Sequence, residues 1–161
     1  MTEPRIKLAQ ALAERADAAR RVEQLRSRIT ASARYQEGEL APEDAAQLLT
    51  EAHGVLDELE ILIARINRTN AATPVGEGTL TEALARRDVL RLRHAVLTSA
   101  ADAAAGRDAR GIMARQLRSE LKMLSALPVA DLRAQADMLA RELRDLDVAI
   151  QRTNWEADLL D

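Results

Sequence analysis

An arginine, a threonine and an asparagine in succession make up a polar signature that occurs twice in the chain. "INRTN" ends at Asn70, and 84 positions later "IQRTN" ends at Asn154. Two roles fit an arginine and an asparagine at the end of a helix. In the simpler one, Arg68 and Arg152 meet the negative end of the helix dipole, while Asn70 and Asn154, which tolerate left-handed backbone, cap the helix. In the other, both signatures lie at one end of a bundle. Two arginines and two asparagines then meet the N-termini of the helices that begin there, and unsatisfied N–H groups at such termini suit a small anion. The candidate ligand-binding residues are therefore Arg68, Asn70, Arg152 and Asn154.

A second concentration of charge is "RRDVLRLRH", in which Arg87, Asp88, Arg91, Arg93 and His94 share two helical turns with apolar residues on several faces. Arg87, Asp88 and Arg91 are candidates for a buried polar cluster, with a structural Asp–Arg pair as the expected role. His53 and His94 stand apart and cysteine is absent, so the sequence offers no metal site, disulfide, iron–sulfur cluster or thiol nucleophile. Ser119 and Lys122 have the Ser-x-x-Lys spacing of penicillin-binding enzymes, without the companion motifs that would give it meaning. "VGEG" holds too little glycine to cradle a phosphate. No catalytic residue and no cofactor can be named, and the reading inclines against an enzyme. Trp155 replaces the alanine that follows the first signature and is the candidate packing or subunit-contact anchor.

These residues need long helices to position them. In 161 residues, 47% are hydrophobic, yet only 1% are aromatic and phenylalanine is absent, so the core must be built from Leu, Ile, Val and Ala. Small side chains let helices approach closely, whereas sheets draw on aromatic and β-branched residues. The formal net charge of −3, with only Tyr35 and Trp155 available for stacking, argues against a nucleic-acid partner. No apolar stretch approaches the roughly 20 residues that cross a bilayer, and the first residues lack the apolar segment of a secretory signal. A cytoplasmic protein without stable membrane insertion is expected.

Apolar residues at Ala45, Leu48, Ala52, Val55, Leu59, Leu62 and Ile66 alternate steps of three and four, and the same rhythm returns from Val129 to Ile150. Pro42 and Pro128 stand just ahead, where a first-turn proline is tolerated, and Glu43 and Asp44 suit the positive end of the dipole. Aligning "ELEILIARINRTN" with "ELRDLDVAIQRTN" gives seven identities in thirteen positions, an internal repeat. "LAQALAER" from Leu8 likewise resembles "LTEALARR" from Leu80, at an offset of 72. The chain reads as one all-α domain of four long antiparallel helices arranged as two duplicated hairpins. Hairpin one spans 4–70, a linker 71–79 follows, and hairpin two spans 80–156 with an insertion at 106–127. "LRSELKM" in that insertion could be a short strand or an extra half-helix.

"ARINRTNAAT", "LTEALARRDVLRLRHAVL" and "IQRTNWEADLL" together resemble a bacterial family labelled septicolysin-like. The resemblance implies a helical, oligomeric protein without an established activity. A cytolysin, which the label suggests, would be membrane-active, but the thiol-dependent kind needs a cysteine this chain lacks. Helix three is apolar on more than one face through Val89, Leu90, Leu92, Val96 and Leu97, more than one monomeric core would cover. The leading expectation is a self-associating, homo-oligomeric scaffold, with a small-anion or metabolite-binding protein that uses the Arg-Thr-Asn ends as the alternative.

Overall fold

The protein is described by a computed structural model covering residues 6–107 and 124–161. Its elements in chain order are α1 (Leu8–Ser32), α2 (Ala45–Ala72), β1 (Pro74–Val75), β2 (Gly78–Thr79), α3 (Leu80–Ala104) and α4 (Val129–Glu156). The all-α class follows the helical periodicity. The described β element is the two-residue antiparallel ladder of β1 and β2, inside the linker rather than in the 106–127 insertion. The "LRSELKM" segment of that insertion lies outside the described residues. The chain divides into two compact units, one of Met1–Thr81 with Gln151–Asp161 and the other of Glu82–Ile150.

In the first unit, α1 and α2 form an antiparallel hairpin. Leu25, Leu48, Ala52 and Val55 make its buried centre, with Ala18, Val22 and Ile29 packed against it. Arg21 pairs with Glu51 at 2.8 Å, and Arg28 further along α1 pairs with Glu43 ahead of α2, so rising numbers on one strand of the hairpin meet falling numbers on the other. Leu25 is 1% exposed and lies in the middle of that contact, so truncating it leaves a cavity the two helices cannot close.

The start of α2 differs from the expectation in a way its chemistry explains. Asp44 is the N-cap, its carboxylate accepting from the amides of Ala46 at 3.0 Å and Gln47 at 3.1 Å. A capping carboxylate satisfies amides that a first-turn proline would merely lack, so Pro42 and Glu43 fall outside the helix. Glu43 is then free to receive Arg28 Nε at 3.0 and 3.2 Å. That hydrogen bond holds the Glu43 carboxyl below its usual range and raises Arg28 in turn.

The helix ends also differ from the expectation. Asn70 and Asn154 do not cap: α2 runs on to Ala72 and α4 to Glu156, and no described residue other than glycine has a positive φ. Among the described residues, the chain instead reverses at Gly76, whose φ of 60 suits a residue without a Cβ. Leu80 N, at the start of α3, donates to Thr73 O just past α2 at 2.8 Å. Leu8 N, at the start of α1, donates to Ala157 O just past α4 at 2.9 Å. The two bonds correspond at the offsets of 72 and 84 read in the sequence. Correspondingly, Pro74 faces Thr79 in the ladder, and Asp158 faces Lys7 in an isolated antiparallel bridge. Leu159 N to Ile6 O at 2.9 Å extends this second ladder, and Lys7 Nζ binds Asp158 at 2.6 Å.

The 157–161 segment continues across α2. Thr69, fully buried, donates its hydroxyl to Arg65 O at 2.8 Å and accepts from Leu160 N at 3.0 Å. Arg65 reaches Leu160 O at 3.0 Å and the Asp161 carboxylate at 2.8 Å, and Arg68 donates to the main-chain oxygen of Asp161.

Three outcomes test this account. Leu25→Ala should cost about 2–5 kcal/mol in urea denaturation. Thr69→Val, which leaves the Leu160 amide without its acceptor, should cost about 1–2 kcal/mol and speed hydrogen exchange at Leu160; unchanged protection there would mean the arginines alone hold the segment. Because Glu43 is depressed when folded, its contribution is present above the ordinary carboxylate value of about 4.3 and is lost as pH falls through the lower folded value. The difference in denaturation midpoint between wild type and Arg28→Gln should therefore narrow on acidification, and it should be small because the pair is exposed.

Candidate functional site

The structure brings both Arg-Thr-Asn signatures into the same compact unit, where their residues part company. Arg68 is exposed and holds Asp161, Arg152 is exposed, Asn70 is half-buried and Asn154 is buried at 8% exposure. The first amides of α1 and α3, which the anion reading counted on, donate to the carbonyls of Ala157 and Thr73. Arg65 carries more of the polar contacts than the sequence suggested. Nothing in a lone arginine one turn before the signature marks it, because its partners come from residues 95 and 96 positions away.

The charged run on α3 is corrected by the structure. Asp88 is 63% exposed at its side chain and Arg91 is 52% exposed, so neither is buried; Arg87, at 23%, is the one partly covered. The reason is register. The core-facing line of α3 is Leu80, Ala83, Arg87, Leu90, His94, Leu97 and Ala101, and a helix with steps of three and four puts positions 88 and 91 off that line. Arg87 bonds Asp88 at 3.1 Å, Arg86 reaches Glu142, and Arg91 lies 3.6 Å from Asp147, all at the surface. Such exposed pairs add little stability.

On the far side of α3 runs a second line, Ala85, Val89, Leu92, Val96, Ser99 and Ala103, every member exposed. Leu92 and Val96 are each 67% exposed. Alongside them, Leu97, Arg93 and the α4 residues Gln135, Met138 and Leu139 complete an open groove of about 520 Å³ with an apolar lining. The same positions on α1, 72 residues earlier, read Ala13, Asp17, Arg20, Gln24, Ser27 and Ala31. The ends of the line are identical. Only its three central residues change, from a polar set in which Asp17 pairs with Arg20 to Val, Leu and Val. Trp155 is 69% exposed and contributes nothing to the buried core.

Among the described residues no cluster of His, Asp and Glu could hold a metal ion, and no helix is long and apolar enough to cross a membrane. The chemistry that the groove offers is apolar contact.

The fold is similar to a crystal structure described as that of a functionally unknown conserved protein from Corynebacterium diphtheriae. The two chains are 36% identical, with a TM-score of 0.88 over 98% of this chain and 100% of that one. No curated protein matches the sequence. The relatives carry no activity and no septicolysin-like description, so what they add is kinship without a reaction. Residues 15–159 match the family of unknown function DUF6847, and the chain belongs to that family.

Proposed function

We propose that this protein is a non-enzymatic, self-associating helical scaffold, and that the exposed apolar line of α3 is what it associates through. One observation carries the reading: Val89, Leu92 and Val96 stand in water at positions where the matching helix α1 has Asp17, Arg20 and Gln24. The fold evidently does not need apolar residues there. Three large apolar side chains along one helix, continuous with the Met138 groove, form the kind of patch that marks an interaction site. The helices that carry it are 25 and 28 residues long, about 40 Å, so the face is extended rather than a closed pocket for a small molecule.

The alternative of a small anion at the Arg-Thr-Asn ends draws less support, since Arg68, Thr69 and the first amides of α1 and α3 are engaged by the chain itself. A cytoplasmic setting fits a scaffold of this kind.

Sedimentation velocity of the purified protein at micromolar concentration should show a concentration-dependent oligomer. A monomer at every concentration would overturn the proposal.

A further inference from the structure

Resting on that reading, we infer that the partner on α3 is a second copy of this chain, docked helix to helix, parallel and in register, as a short two-stranded coiled coil. The spacing of the outward line is the first argument. Steps of four and three from Ala85 through Val89, Leu92, Val96 and Ser99 to Ala103 make a heptad seam, with valine at the a positions 89 and 96 and leucine at the d position 92. β-Branched residues at a with leucine at d favour two parallel strands over higher assemblies.

The flanking charges choose both occupant and direction. With Val89 at a, Asp88 falls at g and Arg93 at e of the following turn. In a parallel pair, a g residue meets the e residue five positions on in the partner, so each Asp88 faces the other copy's Arg93, twice by symmetry. An antiparallel pair would instead set e beside e, bringing Arg86 and Arg93 of one copy against those of the other. Asp88 is available for this contact. Among the described residues its side chain bonds its neighbour Arg87, and it is 63% exposed. The seam is self-complementary, which a partner of unrelated sequence would match only by coincidence.

The matching helix supplies a built-in contrast. On α1, the residues equivalent to Asp88 and Arg93 are Ala16 and Arg21, and Arg21 is spent within the hairpin on Glu51 at 2.8 Å. That helix therefore has neither the apolar seam nor the g-to-e pair, and it remains a solvent face.

The chain has no cysteine, so single cysteines can report the geometry directly. Val89→Cys, Leu92→Cys and Val96→Cys are made separately, with folding of each checked by circular dichroism, and oxidised under mild conditions. A parallel, in-register seam cross-links all three into dimers. An antiparallel one cross-links at most the position nearest the crossing point, and that result overturns the inference. Leu92→Asp should raise the dimer dissociation constant at least about tenfold by placing an unpaired charge in the seam. Asp88→Arg and Arg93→Asp should each weaken the dimer, and the double substitution should restore it. A wild-type oligomer that survives Leu92→Asp and yields no cross-links refutes this interface while leaving self-association standing. A wild-type protein that sediments as a monomer refutes both.

Discussion

The structure depends on a core built without aromatic rings. Tyr35 and Trp155 both lie at the surface, and the fully buried large side chains are Leu8, Leu25, Ile66, Leu80, Ile150 and Thr69. A helix that packs through leucine, isoleucine and alanine approaches its neighbour closely but covers only a narrow stripe of it. Along α1 and α2 that stripe is Leu25 against Leu48, Ala52 and Val55. Outside it, α1 carries exposed charged residues, of which Arg20, Arg21, Arg26 and Arg28 are paired with carboxylates.

The helix ends are finished by side chain and main chain together: Asp44 caps α2, and Lys7 Nζ donates to Glu156 O at the end of α4 at 3.0 Å. The carbonyl just past α2 receives the first amide of α3, and the carbonyl just past α4 receives the first amide of α1. Each bond satisfies a group that a helix terminus leaves open. Thr69 belongs to the same economy of means. It occupies an apolar-stripe position, yet its hydroxyl serves two main-chain partners, and valine of nearly the same shape would serve neither. Groups engaged in this way hold the helix ends to one another and to the 157–161 segment.

On the helix faces, α1 and α3 carry the same residues at the ends of one exposed line and differ at its three central positions. The proposed pairing of two copies rests on that difference and on Asp88 and Arg93, which border the line. Kinship with a family of unknown function neither adds to this reading nor competes with it.

Much of the architecture was legible in the chain itself. The step-three, step-four rhythm located α2 and α4, and the excess of apolar residues on α3 was visible in the same spacing, because helical periodicity is a local property. Three features were not legible. Whether Asn70 ends a helix depends on what meets the following carbonyls, and the partner of Thr73 O is supplied by α3. That Asp44 caps α2 rather than standing in its first turn goes with Glu43 lying outside the helix, where it meets Arg28 from across the hairpin. That Asp88 and Arg91 are exposed while Arg87 is partly covered depends on which line of α3 faces the core, a choice among several apolar faces that the sequence presents as equivalent. Local spacing was enough to place the helices, because periodicity involves only near neighbours in the chain. Only the tertiary structure decided which groups remain unspent, because that is settled by partners far apart in the chain.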